Sequence, residues 1–148
     1  MVRVIKPRIF LDSNIIFSGF YSLQSTPGQI LQAGISGRIS IVISRQVLDE
    51  VIRNIRRKLP GILEPVIEFL SATAIEIVAN PGPEEVAGSR LNLLPGDAAV
   101  LLAAARAKPD FFIIGDNHFL ENPGLEKTLD LRIITPTQLL RILKANTG

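Results

Sequence analysis

Short runs of branched and apolar residues alternate with longer stretches of helical periodicity along this chain. The runs long enough for a strand are Arg8–Asp12, Ile39–Ser44, Ala74–Ala79, Phe111–Ile114 and Leu131–Ile134. They are largely apolar rather than alternately apolar and polar, which is typical of strands that a parallel sheet buries on both faces.

The stretches between these runs carry apolar residues at helical spacing. The seam of Leu48, Val51, Ile52, Ile55 and Leu59 is the clearest example. Three helices are predicted with their caps, namely Pro27–Ile35 after Thr26, a helix from Ser44 to about Lys58, and Pro136–Lys144 after Thr135. Further helices are predicted at Ile62–Leu70, Glu84–Arg90 and Gly96–Ala107. The alternation predicts a three-layer α/β fold, with a central parallel sheet and helices on both faces. The length of 148 residues predicts a single domain over 1–148.

The composition restricts the kind of site that this fold can carry. There is no cysteine and only one histidine, so a metal ion would have to be held by carboxylates, which favours Mg²⁺ or Mn²⁺. The net charge of +2 is compatible with a nucleic-acid partner. No apolar stretch approaches the roughly 20 residues that span a bilayer, and the N-terminus lacks a signal-peptide pattern. We therefore expect a cytoplasmic protein without a membrane segment.

Carboxylates occur where the predicted elements meet. Asp12 ends the first strand, Asp116 follows the fourth, and Asp97 begins the helix Gly96–Ala107. Ligands of open α/β sheets bind at the carboxyl ends of the strands, so these acids could converge on one cleft. Clustered carboxylates take up protons or bind a cation, and a bound divalent ion can activate water for attack on a phosphate diester.

Each acid also has a structural interpretation. Asp97 could cap its helix, and Asp12 and Asp116 could be turn residues. Glu50 lies off the apolar seam of its helix and could face solvent, and the helical pattern does not favour it over Asp49.

Four fragments, taken together, resemble the motifs of the PIN domain family, particularly its toxin-like ribonucleases from toxin–antitoxin systems. In chain order they are IFLDSNIIFSG (9–19), SRQVLDEVIRN (44–54), LPGDAAVLLA (94–103) and FIIGDNHFL (112–120). In the first fragment Ser13 takes the place of the usual threonine and keeps its hydroxyl. In the second, the acid that precedes an aliphatic residue is Glu50.

The resemblance implies a five-stranded parallel sheet with strand order near 3-2-1-4-5, and Mg²⁺- or Mn²⁺-dependent cleavage of RNA. The implied site acids are Asp12, Glu50, Asp97 and Asp116, of which Asp12, Asp97 and Asp116 would bind the metal. The implied supporting residues, which would orient ligands or bound water, are Ser13, Asn14 and Asn117. The resemblance also implies a homodimer or higher oligomer and an antitoxin that blocks the cleft.

Two departures from the family pattern keep other functions open. Many relatives carry a second acid near Asp97, and many have an acid where this chain has His118. A catalytically inactive PIN-like module that binds RNA or protein is therefore the main alternative. A haloacid-dehalogenase-like phosphatase would need an aspartate at Asn14, and a response-regulator receiver would need one after a middle strand, at the end of 39–44 or of 74–79.

A run of basic residues could contact the substrate. Arg53, Arg56, Arg57 and Lys58 could form a phosphate-contacting strip beside the cleft, since such contacts dominate non-specific nucleic-acid affinity, or they could be a solvated helix face. Aromatic residues make up only 5% of the chain, so an extensive base-stacking platform is not expected.

Overall fold

A computed structural model describes residues 6–115 and 124–147, and its centre is a five-stranded parallel sheet. The strands are β1 (Arg8–Leu11), β2 (Ser40–Ser44), β3 (Glu76–Val78), β4 (Phe111–Ile113) and β5 (Ile133–Ile134). They lie in the order β3-β2-β1-β4-β5, and each neighbouring pair is parallel. The predicted α/β fold and the strand order implied by the resemblance are both confirmed.

Helices connect the strands and pack on the sheet. They are α1 (Ser13–Tyr21), α2 (Thr26–Ile35), α3 (Arg45–Lys58), α4 (Leu63–Ala72), α5 (Pro83–Gly88), α6 (Pro95–Ala107), α7 (Leu125–Leu129) and α8 (Pro136–Thr147), with a 3₁₀ turn at Pro60–Ile62. Three consecutive residues of β1, Ile9, Phe10 and Leu11, are fully buried. Because successive strand residues point to opposite faces, both faces of the central strand are covered.

Three local features differ from the sequence-based prediction. Helix α1 was not predicted, and it begins directly after β1 because the Asp12 side chain caps it. The cap of α2 is Ser25, whose hydroxyl accepts from the Gly28 amide, and not Thr26. Helix α7 was also missed, since its five residues are too few to show a period.

The loop between α1 and α2 passes very close to the start of α2. A Cβ atom at Gly28 would lie 2.4 Å from the carbonyl oxygens of Ser22 and Leu23. These are backbone atoms and cannot rotate away, so only glycine fits there. The close approach fixes the start of α2 against the loop that follows α1.

Within residues 6–115 and 124–147, no helix combines the length and the apolar character needed to cross a membrane.

Candidate functional site

Asp12 lies at the carboxyl end of the central strand and is buried, with 8% of its surface exposed. Its Oδ1 accepts a hydrogen bond from the Ile15 amide at 3.0 Å, which caps α1. Its Oδ2 faces the end of β4 and accepts a long hydrogen bond from the Gly115 amide at 3.5 Å. The carboxylate is therefore fixed by the start of one helix and the end of a neighbouring strand, and the positive end of the α1 dipole favours its charge.

Glu50 reaches the same region from α3. Its Oε2 accepts from the Ser13 hydroxyl at 2.8 Å, and its Oε1 accepts from the Gln46 side chain at 3.0 Å. Asp49, the adjacent acid, instead pairs with Arg45 at 3.5 Å and lines a different opening. The choice that the helical pattern left open is thus decided by geometry, because only Glu50 faces Asp12 and Ser13.

Asp97 lies in the first turn of α6, half-buried. The cap position of this helix is Leu94, which supplies no side-chain hydrogen bond, so the interpretation of Asp97 as a helix cap is wrong. Among the residues that the structure describes, no hydrogen bond or ion pair to the Asp97 carboxylate is present. Its position in the first turn places negative charge at the favourable end of the helix dipole.

Gln46 joins the elements that carry these acids, and sequence analysis did not identify it. Its backbone amide donates to Asn80 Oδ1 at 2.7 Å, and its side-chain amide donates to Glu50 and, at 3.1 Å, to the Gly96 carbonyl. It therefore ties α3 to the start of α6. The signal that could have revealed it is its spacing, since residues four apart on a helix lie on the same face.

The acids share one cavity of about 340 Å³ at the carboxyl edge of the sheet. Its lining residues are Asp12, Ser13, Asn14, Gln46, Glu50, Arg53, Asn54, Gly96, Asp97 and Val100. The strand register explains the convergence, because β1 lies between β2 and β4 and so ends beside the start of α3. Asp116 and Asn117, which were also predicted for the site, lie outside the described residues.

The chemistry of this donor set fits a hard divalent cation, because every side-chain ligand on offer is an oxygen. Within the described part of the chain, however, no three acidic or histidine side chains are close enough to hold one ion together. Asp12 and Glu50 both accept hydrogen bonds from the protein, and these bonds fix the orientation of their carboxylate oxygens.

The predicted basic residues divide between two places. Arg53 lines the acidic cavity and also an adjoining groove, whereas Arg56 and Arg57 line only the groove. Lys58 lies apart from both, with its ammonium 5.3 Å from the centre of the Phe17 ring.

Comparison with known proteins supports the fold. No family model matches the sequence, and no curated protein matches it significantly. The structure is similar to VapBC2 from Rickettsia felis, solved bound to a DNA fragment from its promoter, with a TM-score of 0.60, 14% identity and coverage of 86% of this chain and 98% of that one. It is also similar to PAE2754 from Pyrobaculum aerophilum, with a TM-score of 0.57, 15% identity and coverage of 96% and 91%. The chain thus has the PIN-like fold that its motifs indicated.

Proposed function

We propose that this protein is a Mg²⁺- or Mn²⁺-dependent endoribonuclease of the PIN type. The observation that carries the proposal is the shared cavity, in which Asp12, Glu50 and Asp97 arrive from three separate elements. Their carboxylate oxygens are the kind of donor that a hard divalent cation prefers. A cation site beside the end of the central strand, in a PIN-like fold, supports phosphodiester hydrolysis.

The cavity supports proposed roles for Asp12, Glu50 and Asp97, and the family resemblance supplies the role of Asp116. Asp12, Asp97 and Asp116 would hold the metal ion, and Glu50 would complete the acidic set. A bound divalent ion would supply a Lewis acid that activates water and offsets charge on the phosphate. Ser13 orients Glu50 by donating its hydroxyl hydrogen. The remaining supporting residues are Asn14, which lines the cavity, and Asn117.

Cleavage of a mixed single-stranded RNA with Mg²⁺, Mn²⁺ or EDTA tests this proposal. We expect metal-dependent cleavage by the native chain and its loss in Asp12→Asn, Glu50→Gln and Asp97→Asn. Glu64→Gln is the matched control, because it removes an exposed acid that lies outside both the cavity and the adjoining groove. Asp97→Asn is the most informative variant, since no described hydrogen bond depends on its carboxylate and its loss should leave folding intact.

Binding of the ion can be measured without the reaction. A ligand that binds only the folded state raises its stability by about 2.7 kcal/mol at a hundredfold excess over Kd. Mn²⁺ should therefore raise the melting temperature of the native chain and of Glu64→Gln, but not of Asp97→Asn. Native protein that shows neither this rise nor cleavage would instead be an inactive PIN-like module that binds RNA or protein.

The proposal extends to a role as the toxin of a toxin–antitoxin pair in the cytoplasm. The likeness to VapBC2 supports an antitoxin partner, and the resemblance of the motifs supports a homodimer or higher oligomer. Sedimentation of the purified chain measures the oligomer. Growth arrest on expression of the native chain, absent with Asp97→Asn, would support the toxin role.

A further inference from the structure

A groove of about 680 Å³ adjoins the acidic cavity along α3. Its walls come from α3, α4 and the edge strand β3. Arg53 lines both the groove and the cavity, so the two openings meet at this side chain. A chain-like ligand lying in the groove would reach the acids at one end.

The rim of the groove is cationic. Arg45 is paired with Asp49, but no ion pair to Arg53, Arg56 or Arg57 is present among the described residues. Arg56 and Arg57 lie three and four residues after Arg53, and like charges at these spacings disfavour a helix. The dipole of α3 favours cations in its last turn, which accounts for Arg56 and Arg57 but not for Arg53. An anionic ligand would relieve the repulsion among all three.

The floor of the groove is aliphatic. Ile67 of α4 is 45% exposed and Ile77 of β3 is 48% exposed, and both line the groove together with Ile52 of α3. Exposed isoleucines in the same groove as several guanidinium groups match a ligand that has both apolar faces and a negative backbone. Single-stranded RNA has this character, because its bases can be unstacked, whereas a duplex hides its base faces.

We propose that this groove is the path along which single-stranded RNA reaches the acidic cavity. Arg53, Arg56 and Arg57 hold its phosphates, and Ile67 and Ile77 contact its bases. The inference rests on the proposed function, because RNA would be led to the acidic cavity only if it is cleaved there. Because none of the described residues that line the groove is aromatic, base contact there is with aliphatic groups and discriminates little between bases.

An acidic amphipathic helix, like single-stranded RNA, would complement both the positive charge and the apolar surface of the groove. The position of Arg53 favours RNA over such a helix. A docked helix needs only the groove, whereas a strand that is to be cleaved must occupy the groove and the cavity together, and Arg53 lies where they meet.

The phosphate contacts are tested by binding of fluorescent oligouridine in EDTA, which prevents metal-dependent cleavage. Each phosphate contact to a single strand contributes about 0.7 to the slope of log affinity on log salt. Arg56→Gln/Arg57→Gln should therefore lower that slope by about 1.4. Lys127→Gln/Arg141→Gln removes the same charge from α7 and α8 and should leave the slope unchanged.

The base contacts are tested by Ile67→Thr, with Ile35→Thr as its matched control. Both isoleucines are exposed helix residues, but Ile35 lies on α2, away from the groove. We expect Ile67→Thr to weaken oligouridine binding roughly fivefold, because the substitution removes apolar surface that the bases would cover. It should not weaken binding of an abasic strand with the same number of phosphates.

Several results would overturn the inference. One is an equal salt slope for the Arg56/Arg57 and Lys127/Arg141 double variants, and another is an equal loss of oligouridine affinity in Ile67→Thr and Ile35→Thr. The inference would also be overturned if double-stranded RNA bound as tightly as the single strand, or if oligouridine did not bind in EDTA. Failure of the proposed function is a different result, namely no cleavage with either metal by protein that still binds oligouridine through the groove.

Discussion

Replacement of Gln46 by methionine should disturb the candidate site without touching any acid. Methionine has a similar length and fits a helix, but it has no amide to donate. The substitution removes the hydrogen bonds from Gln46 to Glu50 Oε1 at 3.0 Å and to the Gly96 carbonyl at 3.1 Å. It leaves the backbone bond to Asn80 in place.

The expected loss of stability follows from these two bonds. A hydrogen bond to a charged group contributes about 1.5–3 kcal/mol and a neutral one about 0.5–1.5 kcal/mol. Gln46 and Glu50 are only half-buried, so water can replace part of the interaction that the substitution removes. We therefore expect the free energy of unfolding to fall by about 1–2 kcal/mol.

The effect on metal binding should be larger than stability alone explains. Gln46 holds the Gly96 carbonyl, which directly precedes the proposed ligand Asp97, and it also holds Glu50 of the acidic set. Removal of groups that position a metal ligand typically changes metal affinity about 10–100-fold. With Gln46→Met, Glu50 loses one of its two described donors and α6 loses its tie to α3. We expect half-maximal activation of cleavage to require about tenfold more Mn²⁺.

The assay combines urea denaturation with a Mn²⁺ titration of cleavage. Gln29→Met is the matched control, because Gln29 is an exposed glutamine of α2 with a single hydrogen bond of its own. Val66→Ala controls for stability, since it removes buried methyl groups from α4 and should cost about 2 kcal/mol. The reasoning is refuted if Gln46→Met needs no more Mn²⁺ than native protein, or if Val66→Ala needs equally more.

Three further substitutions test the fold that carries the site, each by urea denaturation. Gly28→Ala should destabilise by more than about 2 kcal/mol because its Cβ would meet backbone, whereas Gly61→Ala, with nothing within 4 Å, should be nearly neutral; equal effects would contradict this. Leu101→Ala, at a fully buried position, should cost about 2–5 kcal/mol, and Leu94→Ala, at a position 73% exposed, much less. Ser44→Ala should cost about 1 kcal/mol because the buried hydroxyl caps α3 through the Val47 amide, and an unchanged free energy of unfolding would contradict this role.

The sheet could be predicted because its strands are short runs of branched and apolar residues, which favour strands over helices. The same reasoning missed α1, since Asn14–Tyr21 follows a strand directly and contains β-branched and aromatic residues that favour strands as much as helices. What selects the helix is the carboxylate of Asp12, which bonds to the Ile15 amide. Asp12, a candidate site residue, thus also determines local structure, and hydrophobic periodicity cannot detect that second role.

The candidate site could be predicted only in part. Asp12 and Asp97 stand out by their places in the chain, at a strand end and a helix start. Glu50 could be identified only through the family resemblance, because the helical pattern does not favour it over Asp49. Gln46 and Asn54 were missed because uncharged amides carry no chemical signal of their own, although each lies one turn from Glu50. Their contribution appears only when neighbouring elements are in place.

The two acids of α3 show how one helix can serve two surfaces. Consecutive helix residues point about 100° apart, and Asp49 and Glu50 line different openings. Glu50 faces the acidic cavity, where Ser13 and Gln46 hold it, and Asp49 faces the groove, where it neutralises Arg45. Arg53 lies between these directions and lines both openings. The helix thereby joins an acidic site to a cationic groove, and rotation of α3 about its axis would uncouple them. The Ser44 cap and the Gln46 hydrogen bonds at its first turn oppose such a rotation.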